Sequence, residues 1–169
     1  MLTMTHVETT AQQGQMRELL WEYVLWGGPQ MEQDFGIRLD LQVLVDQEMA
    51  DLQKYASPRG RLLLAFMNQQ LAGCGGLRAI GSEIGEIKRM FVRPQYRGQG
   101  IGRALVTTLI SEARQIGYTT LRLDSGPFMR DAHVLYRSIG FRPIPAYPEC
   151  DIPAAWQPQW HFMELSLQP

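Results

Sequence analysis

An apolar extended run, Glu86 to Arg93, leads into Arg97-Gly98-Gln99-Gly100-Ile101-Gly102, and a helical pattern starts near Gln99, with Ile101, Leu105, Leu109, Ala113 and Ile116 on one face. A glycine-rich turn between a strand and a helix N-terminus gathers unpaired backbone N–H groups at the positive end of the helix dipole. That environment suits a phosphate or pyrophosphate, so this segment is the expected cofactor site. Its spacing excludes two familiar loops. A dinucleotide fingerprint, G-x-G-x-x-G, counted from Gly98 needs a third glycine where Arg103 stands. A Walker loop needs Lys and then Ser or Thr after its last glycine, whereas Gly102 is followed by Arg103 and Ala104.

What fits is Arg-x-x-Gly-x-Gly at Arg97, Gly100 and Gly102. This resembles the acyl-CoA pyrophosphate loop of the GCN5-related N-acetyltransferases, the GNAT family. Upstream, Glu86-Ile87-Lys88-Arg89-Met90-Phe91-Val92-Arg93-Pro94 is similar to that family's fourth strand. Downstream, Ala132 to Phe141, with its Leu135-Tyr136 and Gly140-Phe141 pairs, is similar to its late helix. The resemblance implies a mixed α/β fold: a central twisted sheet with flanking helices, whose fourth and fifth strands splay apart. It also implies acetyl-CoA as co-substrate, without a metal. The expected contacts are Met90, Phe91 and Val92 on the strand, and Arg97, Gly98, Gln99, Gly100, Ile101, Gly102 and Arg103 on the loop.

The chain of 169 residues suits one domain, 1–169, since at that length about 70% of the unfolded surface is buried on folding. Its longest apolar run, Leu62 to Met67, is too short to span a bilayer, so a cytoplasmic protein with no membrane partner is expected. A net charge of −1 gives no basic field to recruit nucleic acid. The local cluster of Lys88, Arg89, Arg93, Arg97 and Arg103 is better matched to a phosphorylated cofactor. Cys74 and Cys150 lack C-x-x-C spacing and read as unpaired thiols. His6, His133 and His161 have no paired metal-ligand spacing, and Ser125 lacks a G-x-S-x-G elbow.

Several elements follow from periodicity and turn chemistry. Met4 to Glu8 reads as a first strand, followed by a helix with Thr10 and Gln13 as capping box, ending at Gly27-Gly28-Pro29. A polar connection, Gln30 to Arg38, precedes a second helix capped by Asp40. Arg61 to Met67 and Leu71 to Leu77 form a hairpin, with a bulge or close packing suggested by Gly73, Gly75 and Gly76. The strand from Glu86, the helix closed by Gly117 and the strand Thr119 to Asp124 make a βαβ unit with parallel strands. Pro143 to Gln159 reads as a proline-rich loop before a terminal strand from His161.

Acyl transfer to an amine needs a neutral amine, a stabilised oxyanion and a proton for the leaving thiolate. A lysine-like amine has a pKa of about 10.4, so presenting it neutral at pH 7 costs about 4.6 kcal/mol. The resemblance implies Glu86 as general base; the other reading is a strand-end carboxylate paired with Lys88 or Arg89. It implies Tyr136 as the acid that protonates the thiolate; the other reading is packing against the cofactor. A backbone N–H near Val92 is the expected oxyanion donor. Many relatives carry an asparagine where this chain has Met129; Asp124 or Ser125 before it could take over some of that contact, the other and preferred reading being a turn residue and a helix-entry signal.

The expected activity is acetyl transfer from acetyl-CoA to an amine, either a small molecule or a lysine or N-terminal amine of a protein. A homodimer is compatible with it. The competing class is a non-catalytic acyl-CoA binding module. Glu32, Asp34, Tyr147, Glu149 and Asp151 would give the acceptor site an acidic, aromatic wall suited to a cation, with Trp21, Trp26, Trp156 and Trp160 in the regions that shape it.

Overall fold

The computed structural model describes residues 1–168. Strands β1 (Leu2–His6), β2 (Arg61–Met67), β3 (Gln70–Ala79), β4 (Ile84–Val92), β5 (Thr120–Ser125), β6 (Arg142–Ile144) and β7 (His161–Ser166) form one sheet in the order β1-β2-β3-β4-β5-β7-β6. Every neighbouring pair is antiparallel except β4 with β5. Helices α1 (Thr10–Phe35), α2 (Leu41–Ala50), α3 (Ile101–Ile116) and α4 (Arg130–Ile139) flank it. This is the mixed α/β architecture expected. No described helix is long and apolar enough to cross a membrane.

The period of two along β2 divides the core between the faces of the sheet. Leu63 and Ala65 join the cluster built around Leu105, Leu109 and Ala113 of α3, while Leu62 and Leu64 join Met16, Leu19 and Leu20 of α1. Each fully buried leucine contributes about 1.5–3 kcal/mol. Asn68 and Gln69 both have positive φ, 49° and 68°, as a two-residue hairpin turn with the right-handed strand twist requires.

Three expected boundaries moved. The first strand starts at Leu2, in register with Met67, and the capping box is Thr9 with Gln12, one residue earlier than the Thr10–Gln13 pair of the same spacing. The first helix does not stop at Gly27-Gly28-Pro29 but runs through Pro29 to Phe35, absorbing much of the expected polar connection. Proline inside a helix loses one hydrogen bond and crowds the preceding turn. Here packing overrides that cost: Met31 beyond it is buried, a Cβ at Gly27 would touch Phe128, and one at Gly28 would lie 3.1 Å from Leu41. The helix closes instead at Gly36, left-handed at φ 67°. Within the proline-rich stretch, Arg142 to Ile144 forms an edge strand on β7, where a proline is tolerated.

Two departures from regular pairing position the site. Between β3 and β4 the register jumps from Cys74↔Phe91 to Gly76↔Lys88, so Gly75 opposes both Arg89 and Met90, with Arg89 at φ 56°. A Cβ at Gly75 would stand 2.6 Å from the Met90 sulfur and 3.2 Å from Leu109, so a larger residue against this bulge would have to displace the Met90 side chain. Between β4 and β5 the pairing runs from Ile84↔Thr120 to Ile87↔Leu123 and then ceases, leaving Lys88 to Val92 without a β5 partner. The fourth and fifth strands thus splay.

Candidate functional site

The splay opens two cavities that meet. The larger, about 570 Å³, lies against the loop and is lined by Met90, Phe91, Val92, Arg97, Gly98, Gly100, Ile101, Gly102 and Arg103, with Leu135 and Tyr136 of α4 opposite. Gly98 and Gly100 sit at φ 75° and 81° with no heavy atom within 4 Å of where a Cβ would stand, so the loop is a main-chain surface facing open space. Gly100 caps α3 without a side-chain hydrogen bond. The N–H groups of Ile101, Gly102 and Arg103, which a helix leaves unpaired, are therefore presented to the cavity. These features fit a pyrophosphate. Arg97 is held beside them: its Nε donates to the Val92 carbonyl at 3.0 Å, and its guanidinium lies 5.0 Å from the Trp26 ring centroid. Nine of the ten residues expected to contact the cofactor line this cavity. The other, Gln99, donates from its side chain to the Gln95 carbonyl instead.

Tyr136, on α4, is 5% exposed and lines the same cavity, its ring edge-on to Phe141. Its hydroxyl makes no hydrogen bond among the described residues. Burial raises its pKa, with Tyr23 and Asp124 adding to the effect, so the phenol is protonated at neutral pH.

The second cavity, about 420 Å³, shares Tyr23, Phe128 and Met129 with the first. Its walls are apolar and aromatic, and Lys88, Arg89, Glu48, Asp124 and Asp151 bring charge into it. The charges are already paired. Lys88 Nζ donates to Asp124 at 2.6 Å and to Asp151 at 2.7 Å, bridging the splayed strands, while Trp160 Nε1 donates to the other Asp124 oxygen at 3.0 Å. Burial acts to lower the Lys88 pKa, but Asp124, Glu86 and Asp151 outweigh it and keep the amine charged. Glu48 accepts from Arg89 Nη2 at 2.7 Å, Lys54 at 2.9 Å and the Tyr55 hydroxyl at 3.0 Å. Burial would raise its pKa, yet those cationic partners bring it down to about 2.

Several expected roles change. Glu86 is 0% exposed and lines neither cavity; one oxygen pairs with Arg78 at 2.5 Å and the other accepts from Tyr147 at 2.6 Å. Its carboxylate is thus saturated within the protein, by partners other than the expected Lys88 or Arg89. Of the expected basic cluster, only Arg97 and Arg103 line the larger cavity; Lys88 and Arg89 line the second one, and Arg93 pairs with Glu18 and Glu22 of α1. The acidic wall also dissolves. Glu32 pairs with Arg38 and Glu149 with Arg122, and neither they nor Asp34 line the second cavity, which keeps Asp151 alone of that set. Tyr147 is buried on Glu86.

Asp124 lies at the penultimate position of β5, inside the splay, and Ser125 is buried with its hydroxyl 3.0 Å from His133 Nε2. Tyr23, Glu48 and Phe128 had no sequence signal beyond helical spacing or a turn. Trp156 and Trp160 do line the second cavity and Trp26 the first, whereas Trp21 lines neither.

The family model described as "Acetyltransferase (GNAT) family" matches residues 13–141. The chain is similar to an IAA acetyltransferase of Azospirillum brasilense, 40% identical over 104 residues, which are 60% of this chain and 67% of that protein. Among solved structures, a GNAT-family acetyltransferase of Staphylococcus aureus Mu50 superposes with a TM-score of 0.78 at 19% identity, over 99% of this chain and 100% of that one. The PaiA N-acetyltransferase of Thermoplasma acidophilum, in complex with coenzyme A, has a TM-score of 0.74 at 15% identity, covering 98% and 99%.

Proposed function

The chain belongs to the GNAT acetyltransferase family, and from that membership we propose that residues 1–169 act as one domain transferring an acetyl group from acetyl-CoA to an amine. The observation that carries the reading is the junction of two cavities, one faced by main-chain donors and the other by side chains, across Tyr23, Phe128 and Met129. The larger cavity is the cofactor's: the N–H groups of Ile101, Gly102 and Arg103 face the pyrophosphate, and the unpaired edge of Met90 to Val92 faces the pantetheine arm. When bound, acetyl-CoA supplies the thioester that the amine attacks.

Tyr136 is the proposed general acid. Its buried phenol retains its proton at neutral pH, and giving it to a sulfur whose pKa is about 8.5 is uphill, so the transfer has to accompany cleavage of the C–S bond. Glu86 is reassigned as a positioning residue. It fixes Arg78, whose Nη2 lies 3.5 Å from Asp151, and so helps to hold the Asp151–Lys88–Asp124 chain in the acceptor cavity. Met129 stands between the cavities with its sulfur accepting from Ser125, so the pantetheine is held by backbone and packing rather than by an asparagine amide.

The test is Tyr136→Phe, assayed by thiol release with a verified acceptor and by calorimetry with CoA. The ring stays and the proton donor goes. Turnover should fall about 100-fold while CoA affinity stays within about twofold. Unchanged turnover would leave Tyr136 a packing residue; failure of CoA to bind the wild-type protein would remove the acetyltransferase reading.

A further inference from the structure

The bulge at Arg89 re-aims a side chain. Regular alternation along β4 would send Lys88 and Arg89 to opposite faces of the sheet, but with Arg89 at φ 56° both line the acceptor cavity. A non-glycine residue held left-handed in a strand is strained, and such strain persists where the surrounding structure fixes it at a site. Opposite the bulge, Gly75 leaves room for the Met90 side chain that follows.

The two side chains are used differently. Lys88 is nearly closed off at 5% side-chain exposure, locked between two carboxylates. Arg89 keeps 24% side-chain exposure, and only its Nη2 is engaged, with Glu48. Its Nε and Nη1 make no hydrogen bond among the described residues, yet no buried polar atom is left without a partner, so these donors reach open space. A guanidinium gripped from behind, with its free edge in a cavity whose other charges are already paired, is a carboxylate receptor.

The charge in the cavity is also polarised. At the Lys88 end two lining carboxylates, Asp124 and Asp151, face one lining cation, Lys88, with the Glu86–Arg78 pair behind them outside the cavity. At the Arg89 end the charges balance: Glu48 faces Arg89 in the cavity wall, while Lys54 holds Glu48 from outside and Asp51, 67% exposed, offsets Lys54 from the solvent side. One end of the cavity favours an amine and the other a carboxylate. Between them Leu20, Val24, Leu41, Leu44 and Trp156 offer apolar and aromatic surface. Its size, about 420 Å³, is that of a small-molecule site.

We propose that the acceptor is a free amino acid with a bulky apolar side chain: Arg89 binds its carboxylate, its amine lies toward Asp124, and its side chain occupies the apolar wall. This rests on the acetyltransferase reading above and adds the class of substrate. No new bond chemistry is needed, since the amine nitrogen takes the acetyl group from sulfur and loses a proton as the thiol gains one.

The experiment is a thiol-release panel with acetyl-CoA on the full chain, using phenylalanine, leucine and methionine against their amides and decarboxylated amines. Spermidine and an aminoglycoside complete the panel, and CoA calorimetry runs alongside. The free amino acids should exceed their carboxylate-less partners by roughly 30-fold in kcat/KM, as expected for a charge-assisted pair in a cavity. Arg89→Gln should abolish the preference without changing CoA affinity, and Arg89→Lys should restore part of it. If Arg89→Gln fails to bind CoA, the wild-type acid-to-amide ratio alone decides. Equal rates for amides and acids, a preference for spermidine or the aminoglycoside, or no turnover of any amino acid by a protein that binds acetyl-CoA would each overturn the inference. All but the last, where nothing at all reacts, leave acetyl transfer intact. Absence of acetyl-CoA binding would overturn both.

Discussion

The two cavities that meet at Tyr23, Phe128 and Met129 are built from different materials. The proposed cofactor side is made of main chain: a left-handed pair of glycines, a helix N-terminus and a strand edge left open by the splay. The acceptor side is made of side chains from separate elements, tied by ion pairs that reach from Glu48 to Arg89 and from Lys88 to Asp151. A main-chain site needs a local conformation and tolerates most side chains that allow it. A side-chain site needs specific groups and is sensitive to each of them.

The largest test of that contrast is Asp124→Asn. It keeps the shape of the side chain but removes the charge that holds Lys88 across the splay. Turnover with a verified acceptor should fall about 100-fold or more, because Lys88 keeps only the part-exposed Asp151 as a partner and the carboxylate proposed to face the amine is gone; breaking a buried pair from one side costs up to about 3–5 kcal/mol. Affinity for CoA should stay within about twofold by calorimetry. A matching loss of CoA affinity would mean that the cavities are one energetic unit.

Gly100→Val attacks the other side. Valine at φ 81° is strained by about 1–2 kcal/mol, and its side chain would point into space that no protein atom occupies. CoA affinity should drop at least tenfold, about 1.4 kcal/mol, with the fold retained by circular dichroism. Unchanged affinity would place the cofactor elsewhere.

The same contrast explains what could be read from the sequence. Loop, strand and helix from Glu86 to Ile116 were legible because local periodicity and glycine spacing encode a main-chain site. The acceptor cavity was not, because its pairs join residues 36, 41 and 63 positions apart, and no local pattern carries those distances. Asp124 was legible at the end of the strand from Thr119, but not as the partner of Lys88 and Trp160, each 36 residues away along the chain. Glu86 was legible as a position but not as an environment: its partner Tyr147 lies beyond two further strands and two further helices, α3, β5, α4 and β6. The helix through Pro29 escaped for the same reason, since its support comes from Leu41 and Phe128 and not from its own sequence.

Acid unfolding should separate the regions in pH. His133 lies on α4 beneath the cofactor cavity, its ring 4.0 Å from that of His161. Burial, with His161 and Arg137 nearby, pushes its pKa down to about 4 from 6.5. Between those values the unfolded chain binds a proton that the folded one refuses, so stability falls as pH drops through this window. Glu48 is ionised in the folded state down to about 2 against 4.5 unfolded, so its contribution is complete above 4.5 and lost as pH falls toward 2. His133→Gln should flatten the melting temperature between pH 6.5 and 4 by a few degrees, leaving the lower window in place. One merged window, unaffected by the substitution, would show that the buried imidazole contributes nothing to acid sensitivity.

The smallest effect is the sharpest check on the main-chain claim. Arg103 stands at the third position of α3, is exposed, and donates from Nη2 to the Ser138 hydroxyl at 2.7 Å. Sequence alone would make it a prime phosphate ligand. An exposed cation of this kind is worth about 0.2–1 kcal/mol, a factor of up to about five in affinity. Arg103→Ala keeps the backbone N–H of the residue, which is the group the main-chain reading relies on. CoA affinity should therefore fall only about two- to threefold at low ionic strength, and the difference should close in about 0.5 M salt as screening shortens the range of the charge. A loss of tenfold or more, persisting at high salt, would show that side chains and not backbone donors carry the cofactor, and the contrast between the two cavities would fail at its simpler end.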